Sequence, residues 1–240
     1  MSVIYEPKGR AAEYSPLAAN LYKGCGHGCT YCYAPLILRT NRESFRMAQP
    51  RTILRELERD AKKLKNDERP ILLCFTCDPY QPIDTEYKYT RRAIEVLHRY
   101  NLKVTILTKG AKRSERDFDL LAAHPELSTY ATTLVFADER ERQQYEPYAP
   151  STQERIATLK KAHEFGISTW VSLEPVFHPE DAYKLIKQTH KFVDMFKVGK
   201  LNYSEEAKKV DWHEFCIEVI ELLQSLGKDY YIKKDLLKFL

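Results

Sequence analysis

Three cysteines stand at C-x3-C-x2-C spacing in Asn20-Leu-Tyr-Lys-Gly-Cys25-Gly-His-Gly-Cys29-Thr-Tyr-Cys32-Tyr-Ala-Pro35. The interleaved glycines let the backbone wrap closely and take up positive φ angles. Such a loop can present three thiolates to one corner of a cubane iron–sulfur cluster. Three ligands for four irons leave one iron open to a substrate or cofactor. A zinc site competes, because Cys29-x2-Cys32 and Cys74-x2-Cys77 formally pair two CxxC units. Against it, Cys74 lies inside the apolar run Ile71-Leu-Leu-Cys-Phe, which reads as a buried strand, and Cys25 would be left over. His27, between two glycines, is expected to face solvent or a backbone group and not to ligate metal. Cys216 sits on an apolar helical stripe and reads as core.

Such a loop needs a frame. Short apolar or β-branched runs at about Ala19–Lys23, Ile71–Thr76, Leu102–Thr108, Thr129–Phe136, Ser168–Leu173 and Phe192–Val198 read as strands. Segments of helical period lie between them. One opens on the capping box Ser151-Thr-Gln-Glu154 and stops at Gly166. Another starts at Asp211, stripes Trp212, Phe215, Cys216, Val219, Ile220 and Leu223, and stops at Gly227.

Six β–α units in a row imply parallel strands joined by right-handed crossovers. A doubly wound sheet or a partial (β/α)6 barrel of TIM type would satisfy this pattern. The polar residues Cys77, Asp78, Lys109, Glu174, Lys200 and Asn202 fall where strands end, which is where a barrel keeps its chemistry, so the α/β barrel is preferred. Residues 1–240 read as one domain with a short N-terminal extension. After the sixth strand there is room for a C-terminal helix and the tail Asp229-Tyr-Tyr-Ile-Lys-Lys.

Of 240 residues, 43% are hydrophobic and 30% charged, with a net charge of +4. That composition belongs to an ordinary globular protein and excludes a disordered one. No apolar run reaches the ~18 residues that cross a bilayer, and the N-terminus shows no secretory pattern. A cytoplasmic location without membrane attachment is expected. Reduced cysteines there point to metal or catalysis before disulfides. The mild basic excess permits a nucleic-acid partner without arguing for one.

The cysteine loop, with an aromatic before its last cysteine, resembles the radical S-adenosylmethionine (SAM) superfamily. The wider context is similar to its spore photoproduct lyase-like branch, through Tyr5-Glu-Pro-Lys-Gly-Arg10, Asp78-Pro-Tyr-Gln-Pro82, Thr108-Lys109 and Glu146-Pro-Tyr-Ala-Pro150. The resemblance implies a [4Fe–4S] cluster on Cys25, Cys29 and Cys32, with SAM on the open iron. It implies reductive cleavage to a 5′-deoxyadenosyl radical that takes hydrogen from substrate. By the same resemblance Tyr31 packs near the adenine, Tyr33 lies near the active site, and Thr76 and Asp78 grip the SAM amino group. Lys109, Thr133 and Arg155 fall to the carboxylate end of the cofactor, and Glu174 to ribose or substrate.

Photoproduct lyase proper carries a further hydrogen-donating cysteine near the second strand. Cys74 and Cys77 are the candidates here, and neither aligns cleanly. On an extended strand they face opposite sides, so Cys77, nearer the strand end, is preferred as donor and Cys74 as core. The implied substrate is a thymine base in DNA, plain or modified, flipped into the barrel. Basic residues Lys109, Lys112, Arg113, Lys160 and Lys161 near loops would attract phosphates. The outcome is either lyase-type repair, which needs a donor such as Cys77, or a radical isomerisation within hypermodified thymine, which needs none. A small-molecule or peptide substrate is the alternative. A flavodoxin-type reductase as electron donor and a monomeric state complete the expectation.

Overall fold

Among the residues described by the computed structural model, 2–202 and 204–240, seven parallel strands form one sheet. They are β1 (Leu17–Ala19), β2 (Ile71–Leu73), β3 (Val104–Thr108), β4 (Ser128–Thr133), β5 (Ser168–Val176), β6 (Met195–Lys200) and β7 (Asp229–Ile232). Their spatial order is their chain order, and every neighbouring pair is parallel. A doubly wound sheet reverses its order at a switch point. This one runs without reversal and keeps β1 and β7 as its two edges, which is a partial TIM-type barrel.

Helices α1 (Leu54–Lys63), α2 (Tyr89–Arg99), α3 (Phe118–Ala123), α4 (Thr152–Glu164), α5 (Pro179–Thr189) and α6 (Trp212–Ser225) lie between and beside the strands. Each buries a leucine completely: Leu57, Leu97, Leu121, Leu159, Leu185 and Leu223. Each such burial contributes roughly 1.5–3 kcal/mol. The capping box of α4 forms as read, with the Glu154 carboxylate accepting the Ser151 N–H at 2.8 Å. Asp211 caps α6 through the His213 and Glu214 N–H groups, and Cys216 is buried on its inner face.

Two strands differ from the sequence reading. The barrel's first strand is Leu17–Ala19, whereas Tyr22–Lys23 leaves the sheet and pairs antiparallel with Gln49–Pro50. The Asp229–Ile232 stretch, read as a tail, is a seventh strand on β6. Four residues after a glycine are too few to show a period, but β6 otherwise presents an unpaired edge that this segment satisfies.

Alternation along the strands sets the site. Phe196 and Val198 of β6 are buried in the core under the helices, so Lys197 between them stands on the concave face. The register carries Thr133, Ser172, Lys197 and Tyr231 across in one row.

Candidate active site

The chain turns sharply into the cysteine loop at Gly24, where φ is +78° and a Cβ would lie 2.2 Å from the Phe45 carbonyl oxygen. That same carbonyl accepts the Cys25 N–H at 2.9 Å. Gln81 staples the next turn, accepting the Gly26 N–H at 2.9 Å and donating to the Gly24 carbonyl at 3.2 Å. The Thr30 N–H donates to the Tyr145 carbonyl at 2.9 Å, and Arg42 to the Cys29 carbonyl at 3.3 Å. The loop is thus held from three distant segments.

Burial pushes all three thiols up, Cys29 to about 12. What opposes burial is what a cluster ligand needs. The Cys25 sulfur meets the His27 N–H and the Cys32 sulfur the Ala34 N–H. Lys109 and Arg155 face Cys29, and Lys109 and Arg42 face Cys32. Donors and cations of this kind stabilise thiolates on a cluster. Among the described residues no three His, Cys, Asp or Glu side chains converge on a point suited to a single ion. A cubane spreads its three thiolates over three irons, so the loop fits the cluster. It does not fit the zinc pairing, since Cys74 is buried in the core and the Cys77 thiol donates to the Tyr22 carbonyl at 3.4 Å.

The premise behind the choice between those two cysteines fails, because β2 ends at Leu73 and Cys74 takes a φ of +67°. Nor does His27 face solvent. It is 1% exposed, with Nε2 3.3 Å from Asp78 Oδ2 and Nδ1 3.5 Å from the Tyr148 carbonyl.

Asp78 is a hub of the loop after β2. It accepts the Tyr80 N–H at 2.8 Å, the Thr108 hydroxyl at 2.6 Å and the Lys109 N–H at 2.7 Å. Burial alone would raise its carboxyl, but His27 and these donors hold it well below the carboxylate range. The Thr76 N–H donates to the Asn20 side chain at 2.9 Å, which brings Thr76 beside the start of the cysteine loop.

A second buried network stands behind Cys29. Glu146, fully buried, accepts from the Tyr31 hydroxyl and from Arg155. Arg155 also donates to the Pro150 carbonyl at 2.9 Å and the Thr133 carbonyl at 3.1 Å. Lys109 Nζ lies 3.8 Å from Glu146 and 5.7 Å from the centre of the Tyr31 ring. Burial opposes all these charges, yet Arg155 and Lys109 keep Glu146 below its ordinary value, and Cys29 and Glu146 keep Lys109 above its own. Tyr31 packs edge-on against Phe177 at 5.6 Å.

Across the mouth, Glu174 at the end of β5 accepts from the Tyr14 hydroxyl and lies 3.5 Å from Lys233 Nζ. Tyr33, 49% exposed, packs 6.1 Å from Phe75, which packs 6.0 Å from Tyr14. The expected site residues therefore divide. Tyr31, Thr76, Asp78, Lys109, Thr133 and Arg155 gather around the cysteines, Glu174 stands on the opposite wall, and Tyr33, next to Cys32, lies between them.

Sequence reading missed Glu146 as a site residue, and also Tyr14, Lys197 and Lys233. The Glu146-Pro-Tyr-Ala-Pro motif was a usable signal for the first; nothing local marks the others. The basic residues do not form one face. Arg113 is turned inward to the Tyr80 carbonyl at 2.8 Å, Lys161 pairs with Glu115 at 2.6 Å, and Lys160 lies 3.7 Å from Glu164. Lys200, at the end of β6, turns to Trp212 and Phe239. Among the described residues no helix is long and apolar enough to cross a membrane.

Comparison with known proteins follows the same outline. An uncharacterized protein of Methanocaldococcus jannaschii is 27% identical over 185 residues, covering 76% of this chain and 69% of that one. An uncharacterized protein of Acidianus two-tailed virus is 25% identical over 185 residues, and the chain spans 59% of its length. Among solved structures, spore photoproduct lyase with bound AdoMet and dinucleoside spore photoproduct overlaps 96% of this chain and 78% of its own, with a TM-score of 0.75 and 15% identity. Streptococcus suis SuiB bound to S-adenosylmethionine overlaps 90% of this chain and 49% of its own, with a TM-score of 0.66 and 16% identity. At such identities the likeness is one of fold. Residues 19–193 match the Radical SAM superfamily, and with the cysteine loop and the sequential parallel barrel in hand the chain belongs to that superfamily, as an enzyme whose cofactors are a [4Fe–4S] cluster and SAM.

Proposed function

We propose that this radical SAM enzyme acts on a thymine base, plain or already modified, presented in DNA. The observation that carries the reading is the overlap of almost the whole barrel with a spore photoproduct lyase that holds a dinucleoside photoproduct. A bound [4Fe–4S] cluster would supply the electron for cleavage of SAM, and SAM would supply the group that takes hydrogen from the substrate. The residues of the chain do the rest. Cys25, Cys29 and Cys32 hold the cluster. Tyr31, Thr76 and Lys109 orient SAM beside it, with Lys109 as cation for the carboxylate. Thr133 and Arg155 carry the floor of that site, and Asp78 ties the loop after β2 to the end of β3 at Thr108 and Lys109. Glu174 meets the substrate from the opposite wall, and Tyr33 meets it from beside Cys32.

Of the two outcomes, rearrangement of a modified thymine is preferred over lyase repair. Rearrangement returns hydrogen from deoxyadenosine and needs no thiol, and the Cys77 thiol is engaged by the Tyr22 carbonyl. A reductase of flavodoxin type would deliver the electron to a monomeric, cytoplasmic enzyme. A peptide substrate is the second reading, because SuiB bound to its precursor peptide SuiA shares the fold with a TM-score of 0.67.

The test is anaerobic reconstitution with iron and sulfide, then SAM and dithionite, with deoxyadenosine assayed by chromatography. Wild-type protein should be brown and productive, and each Cys→Ala variant at 25, 29 or 32 should be neither. Thymine-containing DNA should raise the yield several-fold over buffer. Stimulation by peptides alone would overturn the DNA reading.

A further inference from the structure

The wall opposite the cysteines holds a buried ammonium with an unmet hydrogen-bonding capacity. Lys233 is 3% exposed, yet its ammonium makes no hydrogen bond. Glu174 Oε2 lies 3.5 Å away, and that oxygen already accepts from the Tyr14 hydroxyl. The ammonium sits 3.3 Å over the Tyr14 ring instead. Lys197 donates to the Tyr14 carbonyl at 2.9 Å and lies 4.6 Å from the centre of a Trp170 ring. Aromatic faces attract these cations but leave them charged. Two ammonium groups thus stand near Glu174 on the concave side of the barrel, with Glu13 and Asp235 acting on Lys233 from further off.

A buried ammonium that lacks hydrogen bonds is costly, and apolar side chains would fill the same volume at lower cost. A ligand that accepts from both lysines removes that cost. Burial, with Lys233 nearby, also holds Lys197 down at about 8, as expected for a cation short of acceptors. Lys233 is buried, so the acceptor must be a small group that reaches it from the mouth. We propose that Lys197 and Lys233, braced by Tyr14 and Glu174, form a subsite for an oxyanion, a carboxylate or a phosphate, borne by the substrate. The inference rests on the reading that the substrate enters this mouth; it adds that the substrate carries an anionic group there.

Calorimetric titration of the reconstituted, SAM-loaded enzyme tests it with thymidine, thymidine 5′-monophosphate, 5-carboxymethyl-2′-deoxyuridine, inorganic phosphate and acetate. At least one anionic nucleoside should bind about tenfold or more tighter than thymidine. That gain should vanish in Lys197→Met and in Lys233→Met. Since Lys233→Met may disturb packing, competition in the wild type is a second readout: the simple anion should displace the anionic nucleoside and leave thymidine binding unchanged. Preference for the monophosphate or for the carboxymethyl compound supports the subsite and names its source. Binding of simple anions through the two lysines, with no gain from any thymine-type base, supports the subsite and overturns the thymine reading. Equal binding of thymidine and both anionic nucleosides, untouched by the lysine changes, overturns the subsite and leaves the thymine reading standing. No binding of any anion also overturns it.

Discussion

The two walls of the mouth are built on opposite terms. On the cysteine side the buried carboxylates have their partners: Asp78 accepts three hydrogen bonds, and Glu146 accepts from Tyr31 and Arg155 with Lys109 3.8 Å away. On the β5–β7 side the buried ammonium of Lys233 lacks a hydrogen bond, with Glu174 3.5 Å away and already accepting from Tyr14. A wall that holds a fixed cofactor gains from preorganisation, because each satisfied group stays where the cofactor needs it. A wall that must accept and release a substrate keeps unmet hydrogen-bonding capacity, at some expense in stability. The contrast teaches where to look for specificity: on the unsatisfied side.

The largest effect should come from breaking the satisfied wall. Arg155→Met leaves Glu146 buried with a lost partner and should cost about 3–5 kcal/mol. Urea midpoints measure it, and a loss under about 1 kcal/mol would mean that the pair does not hold this wall. Gly24→Ala forces a Cβ against the Phe45 carbonyl at a positive φ, a strain of about 1–3 kcal/mol. Because the strain is local to the ligand loop, iron content after reconstitution should fall further than melting temperature does.

Next in size is a pH contrast. Glu146 and Asp78 have folded values below their unfolded ones, so their stabilisation is present above about pH 4 and fades as pH falls through the folded values. Lys197 behaves differently. With a folded value of about 8 and an unfolded one of about 10.4, the unfolded chain binds more protons between them, so stability rises with pH across that window. Melting curves from pH 3 to 10 should show the acid loss in wild type and in Lys197→Met alike. The alkaline rise should shrink in the variant, which should equal or exceed the wild type near pH 7, while Lys233 and Lys200, also held down by burial, keep part of it. An alkaline rise undiminished in Lys197→Met would mean that Lys197 is not held down by its surroundings. The smallest effect belongs to neither wall: Lys160→Ala breaks a surface pair on α4 and should change stability by under ~0.5 kcal/mol, with no change in DNA affinity by fluorescence anisotropy.

How legible each part was follows from range. The cysteine loop could be read residue by residue, since its ligands and glycines lie within a few positions of one another. The helices with caps and apolar stripes, α4 and α6, were read nearly to their ends for the same reason. The first strand was misassigned by a few residues because Ala19–Lys23 is apolar enough for either role. Only its pairing shows that Tyr22–Lys23 joins Gln49–Pro50. The seventh strand was missed because four residues carry no period and its partner is β6, far upstream. Lys161 and Arg113 looked alike as basic loop residues, yet one pairs with Glu115 at the surface and the other turns inward.

By itself the sequence determined the superfamily, the cysteine spacing and the alternating β–α order, because each is written in short-range spacing and local periodicity. Tertiary structure alone decided which charges meet. Tyr31 finds Glu146 115 positions away, and Lys197 finds Tyr14 across 183. The first pairing depends on how two loops meet, and the second on the register of β6, where a one-residue slip would turn Lys197 to the other side of the sheet.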